Sequence, residues 1–141
     1  MFEITDIEQT IVVSALAIII LLFISAFFSG SETALTAASD ARLHQLSLRG
    51  KRRASIVLRL RRQNETLIGA ILIGNNITNI AASALATSVL ISLFDEAGVA
   101  YAMIVMTVLV VIFAEVLPKT FAINNADRSA LAVAPIIQVF V

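Results

Sequence analysis

Cysteine is missing altogether and histidine occurs once, at His44. Those gaps exclude a disulfide framework, a thiolate metal site and a Cys nucleophile, and they argue against zinc. Charge is scarce too: 14% of residues are Asp, Glu, Lys or Arg against 59% that are hydrophobic, and mean hydropathy is +0.95. A water-soluble domain of 141 residues has too little interior to bury that much apolar surface, so that class is excluded. Residues 1–9 lack any Lys or Arg while carrying Glu3, Asp6 and Glu8. A secretory signal begins with a basic region, so the first apolar run reads as a retained span rather than a cleaved leader.

What is present is three long apolar runs. The first, about residues 11–28, is softened only by Ser14 and Ser25 and is roughly 27 Å long as a helix, close to the hydrocarbon thickness. The second, about 67–94, is interrupted by Asn75, Asn76, Thr78, Asn79, Ser83, Thr87 and Ser88, which must be turned away from lipid. The third, about 99–117, holds Glu115 near its end, with Pro118 just beyond. Between the first two runs, residues 32–62 place Leu35, Ala38, Leu43 and Leu46 at helical spacing. Gly50 then makes a break, and Ile56, Val57, Leu58 and Leu60 follow among arginines. That pattern predicts two amphipathic helices forming a hairpin at the membrane surface.

Net charge is formally zero, yet eight of the ten basic residues (Arg42, Arg49, Lys51, Arg52, Arg53, Arg59, Arg61, Arg62) fall in that hairpin. The connection between the second and third runs offers only Asp95 and Glu96. By the positive-inside rule the hairpin and the carboxyl terminus are cytoplasmic and the amino terminus is outside. The basic cluster also suits anionic membrane lipid, through Arg52, Arg53, Arg61 and Arg62, although setting topology would account for it equally well. Residues 126–141 are apolar but short and divided by Pro135, which favours an interfacial helix over a fourth or re-entrant span. The sequence stops inside that apolar segment, which sets the expectation that a soluble portion has been removed. The expected fold is an all-α integral membrane protein with three transmembrane helices, a cytoplasmic basic helical hairpin and a C-terminal juxtamembrane helix.

Four polar features lie at or within the spans. Asn75 and Asn79 are four apart and share one helix face, which Ser83 and Thr87 extend. Interhelical hydrogen bonding among small residues is the plainer account of that stripe. Glu115 sits among Val110, Val111, Ile112, Phe113 and Ala114, where a carboxylate is costly unless neutral, paired or bound to a cation. Lys119, four residues on, is its plainer partner. Pro118 has no N–H and would free the carbonyl of Ala114 beside that carboxylate. Ser29-Gly30-Ser31-Glu32 matches a capping box that would start the hairpin, while Gly30 also permits a sharp turn or close backbone approach. The set of oxygens, without sulfur or imidazole, suits Mg²⁺, Ca²⁺ or Na⁺. No Ser/His, Cys/His or paired-acid arrangement lies within the spans, so no enzyme is expected.

The strings FFSGSETAL (residues 27–35), IGNNITNIAASALAT (residues 73–87) and EVLPKT (residues 115–120), in that order around a basic hairpin, resemble the transmembrane domain of the CNNM/CorC magnesium transporters. The resemblance covers nearly the whole chain. It implies a homodimer of three-span protomers with a juxtamembrane helical belt, each holding Mg²⁺ between its spans and exporting it, with Na⁺ as the exchanged ion. Carried over position by position, the implied Mg²⁺ ligands are Ser29, Asn75, Asn79 and Glu115, together with a backbone carbonyl near Phe121, where this chain has a bulky residue in place of a small one. It also implies that paired nucleotide-binding CBS domains follow the membrane domain in the longer proteins, so nucleotide control lies outside this chain. Nucleic acid is not among the implied partners.

Overall fold

The computed structural model describes residues 2–141, with side chains placed from Asp6 onward. Seven helices follow in chain order. They are α1 (Phe2–Ala37), α2 (Asp40–Leu48), α3 (Arg52–Arg62), α4 (Asn64–Phe94), α5 (Ala97–Leu109), α6 (Leu117–Asn124) and α7 (Ala126–Phe140), with a π-helical segment, Val110–Val116, joining α5 to α6. Three continuous helical stretches are long and apolar enough to cross a membrane: Asp6–Ala37, Asn64–Phe94 and Ala97–Asn124. The expected all-α, three-span architecture is therefore present.

The first span differs from expectation. No break occurs at Ser29-Gly30-Ser31-Glu32; α1 runs straight through it, and the hairpin begins at Asp40 instead of residue 32. Two things favour continuation. Ala34 and Leu35 are fully buried in the core that α1 shares with the hairpin, and Gly30 lies against Pro118, where an added Cβ would stand 3.5 Å from the proline Cβ and carbonyl oxygen. The glycine serves close helix approach, and no sharp turn is made there. Ser39 caps α2 instead, its Oγ accepting the Arg42 N–H.

Gly50 ends α2 at φ +87°. The Lys51 N–H donates to Leu46 O and the Gly50 N–H to Ser47 O, each at 3.0 Å, which is the paired C-terminal closure that left-handed glycines make. A Cβ on Gly50 meets nothing within 4 Å, so the cost of Gly50→Ala is conformational alone. We expect about 1 kcal/mol of lost stability from that substitution, read as a lowered thermal midpoint with unchanged helicity.

The hairpin is amphipathic as predicted: Leu43, Ala54, Ile56, Val57 and Leu60 are buried, while Arg52, Arg53, Arg59 and Arg62 are exposed. Its apolar face joins the C-terminal half of α1, the start of α4 and the inner face of α7 (Ala130, Ala134, Ile137) in one core. The helix α7 packs on α1, α3 and α6. Pro135 does not divide it; the helix passes through, held from outside by this core. A second, smaller core of Ala82, Ala86 and Met106, with Ile18, Leu21 and Leu22 packed on it, binds α1, α4 and α5 at mid-span.

Candidate functional site

Ser25, Asn75 and Asn79 meet at the seam between α1 and α4. Ser25 is fully buried on α1, and its Oγ lies 2.5 Å from Asn75 Oδ1 and 2.7 Å from Asn79 Oδ1. A hydroxyl carries one proton, so it satisfies one of those oxygens and leaves the other as an oxygen-on-oxygen contact. A cation removes that conflict, as does a carboxamide turned to present its NH₂. One turn further along α1, Ser29 is also fully buried, and its Oγ has no hydrogen-bond partner. That is unusual within this chain. The hydroxyls of Ser31, Thr78, Thr87, Ser92 and Thr107 all donate to a carbonyl of their own helix three or four residues back. The Ser25 hydroxyl instead reaches across to α4, and that of Ser29 makes no bond within its own helix.

Glu115 stands on the π-helical segment, which packs against α1. The Leu117 N–H donates to Ile112 O, five residues back, and the next donor in that register would be Pro118, which has no N–H. The proline therefore ends the π run, and in this register it stands opposite Phe113 instead of Ala114. The expectation of a freed Ala114 carbonyl assumed an unbroken α-helix. Among the described residues the ion pairs are Arg42–Asp127 and Arg61–Asp40, so the predicted Glu115–Lys119 pair does not form. Glu115 is half-buried, Lys119 exposed, and the wide turn between them alters the spacing that an α-helical pair needs.

Beyond the Ser25 cluster the seam closes. Ile18, Leu21 and Leu22 pack against Ala82, Ala86 and Met106 in the apolar mid-span core. At the end of the bundle away from the hairpin a groove of about 400 Å³ reopens, lined by Asp6, Thr10, Ser14, Ser88 and Ser92. Asn79 also borders a wider open groove of about 640 Å³ between α4 and α5, where Ser83 and Thr87 continue the predicted polar stripe.

Residues 16–141 match the CNNM description, "Cyclin M transmembrane N-terminal domain". The chain belongs to the CNNM family. The CNNM segment is 49% identical over 107 residues to the UPF0053 inner membrane protein YfjD of Escherichia coli K12, covering 76% of this chain and 25% of that protein. It is 42% identical over 111 residues to a UPF0053 protein of Haemophilus influenzae, with coverage of 79% and 26%. A chloroplastic DUF21 domain-containing protein of Arabidopsis thaliana is 39% identical over 116 residues, with coverage of 82% and 18%. The chain thus spans about a fifth to a quarter of the length of these three relatives.

Of the residues singled out in this CNNM sequence, Asn75 and Asn79 meet at one hydroxyl, and Ser29 lies on the same α1 face one turn away. Glu115 lies on a third element, the π-helical segment, which packs against α1. Phe121 does not join them: its side chain is exposed, and its carbonyl already accepts both the backbone N–H and the Nδ2 of Asn125, at 3.1 and 3.2 Å. Ser25 was the residue that sequence reasoning passed over. Its four-residue spacing from Ser29, matching the Asn75–Asn79 spacing across the seam, was the available signal.

Proposed function

We propose that this chain is the membrane part of a Mg²⁺ exporter, in which Glu115, Asn75, Asn79 and Ser29, joined by Ser25, replace most of the ion's water shell. The observation that supports the reading is the group of three oxygens, Ser25 Oγ with Asn75 Oδ1 and Asn79 Oδ1, which share a single hydroxyl proton one helical turn from a second buried hydroxyl that has no partner. Two amide oxygens, two hydroxyls and one carboxylate form a hard, oxygen-only set, and Mg²⁺ demands such oxygens in near-octahedral array. A carboxylate at lipid depth is neutralised by the ion, which gives the unpaired Glu115 a reason to be there.

The ion reaches the site from the hairpin end, taken as cytoplasmic from its basic charge. It leaves toward the groove headed by Asp6, with the amino terminus outside. The apolar layer of Ile18, Leu21 and Leu22 keeps that exit shut until the helices rearrange. Na⁺ exchange drives the step, and the protein works as a homodimer in a cell membrane.

Purified chain reconstituted in liposomes with an entrapped Mg²⁺-sensitive dye tests this directly. Saturable Mg²⁺ flux is the expected result. Tight Mg²⁺ binding with no flux in either direction, with or without a Na⁺ gradient, would instead make the ion a structural or regulatory ligand of a membrane scaffold or sensor. Ser25→Ala should weaken Mg²⁺ binding about tenfold in calorimetry, or about 1.4 kcal/mol, while leaving the helical spectrum intact.

A further inference from the structure

The hairpin has a second feature, separate from the ion seam and independent of the transport reading. A pocket of about 660 Å³ lies between the α2–α3 turn and the start of α7, and Arg42, Lys51, Arg52, Arg53 and Arg128 line it. We propose that this pocket binds the phosphate of an anionic phospholipid.

Charge is the first support. Five cations, from α2, the α2–α3 turn, α3 and α7, face one carboxylate, Asp127, whose oxygens are already engaged. Asp127 Oδ1 accepts the Ser39 N–H at 2.7 Å, and Oδ2 lies 3.8 Å from Arg42 Nε. Lys51, Arg52, Arg53 and Arg128 make no ion pair among the described residues, and α3 carries no acid in its first turn. Unpaired cations gathered this closely attract an anion, and guanidinium groups fit phosphate oxygens two at a time.

Position selects a lipid over a free ion. The turn sits at the end of the bundle where α1 stops and α4 starts, beside the membrane spans. Leu46 and Leu131 form an apolar wall of the same pocket. Leu48, beside the turn, is 90% exposed, and the outer face of α7 presents Ile136 and Val139. A headgroup phosphate held by the arginines would lay its acyl chains along that apolar side. A choline headgroup would add a cation to a positive site and is disfavoured.

Arg61 is not part of this recognition. Its Nη1 donates to Ala38 O at 2.8 Å and pairs with Asp40 at 3.0 Å, fastening the hairpin to the end of α1. Neither it nor Arg62 lines the pocket, and its fastening role is the reason to leave Arg61 untouched in the test.

Native mass spectrometry of the whole chain in detergent, titrated with phosphatidylglycerol or phosphatidylcholine, reads the site. One phosphatidylglycerol should bind per chain in preference to phosphatidylcholine. The triple change Arg52→Gln, Arg53→Gln, Arg128→Gln should weaken it at least about tenfold. A matched triple change outside the pocket, Arg49→Gln, Arg59→Gln, Arg62→Gln, should leave it within about twofold, both variants first being checked for wild-type helicity. Equal losses in the two variants would mean a diffuse basic field and overturn the pocket. Equal binding of phosphatidylcholine, or displacement of phosphatidylglycerol by millimolar inorganic phosphate, would overturn its assignment to an anionic lipid.

Discussion

Glu115→Gln should raise the thermal midpoint of the metal-free protein and at the same time abolish its stabilisation by Mg²⁺. Both halves follow from one carboxylate. Glu115 is half-buried in a membrane span and takes part in neither ion pair of the described residues. Holding such a charge at lipid depth costs about 2.5–3.5 kcal/mol on insertion scales, and glutamine removes the charge at nearly constant shape. With the charge gone, the remaining amides and hydroxyls have no anion to offset the loss of water from Mg²⁺, and affinity should fall at least about a hundredfold. Wild-type protein at one hundred times its dissociation constant gains about 2.7 kcal/mol from the ion, and the variant should gain none at the same concentration. A carboxylate with a purely structural partner would give the opposite first half, a variant less stable than wild type without metal.

The second large effect concerns the turn between α4 and α5. A Cβ on Gly98 would stand 2.4 Å from the carbonyl carbon and oxygen of Leu90 and 2.5 Å from Ile91 N. Those are backbone atoms of α4, so no side-chain rotation relieves the clash. The turn is already strained, since Asp95 adopts φ +56°. Gly98→Ala should therefore cost about 3 kcal/mol or more and push the two helices apart. Gly69 supplies the control, because a Cβ there meets nothing within 4 Å inside α4. Gly69→Ala should stabilise by about 0.5–1 kcal/mol through helix propensity. Opposite signs in denaturation of the two variants are expected, and equal losses would contradict the close packing at Leu90.

The legible features were those set by local physics. Runs of apolar residues gave the three spans, Gly50 gave the hairpin turn, and the arginine pattern gave its exposed face. The α1 boundary was not legible in the same way, because S-x-x-E fits both a helix start and a helix interior. The choice was made by contacts far along the chain, where Gly30 meets Pro118 and Leu35 enters a core with α3 and α7. The π turn was likewise hidden, since apolar periodicity barely registers one extra residue. Pro118 signalled a disturbance, but whether Phe113 or Ala114 lost its donor depended on the register before it.

The candidate site shows the same division. Asn75, Asn79 and Glu115 were visible because polar groups within apolar runs demand an explanation. Ser25 was not, for a lone serine in a span has an easy local partner in its own helix. Only the register of α1 against α4 brings it to Asn75, fifty residues away. Phe121 failed for the converse reason: Asn125, one turn later, takes its carbonyl from two donors.

A structure of the chain solved with Mn²⁺ in place of Mg²⁺, located by its anomalous signal, tests the central claim most directly. The account predicts one peak per chain in the α1–α4 seam, with Glu115, Asn75, Asn79 and Ser29 oxygens at about 2.1–2.2 Å. A seam without a peak, with Ser25 still bonded to both asparagines and Glu115 turned to solvent, would contradict it.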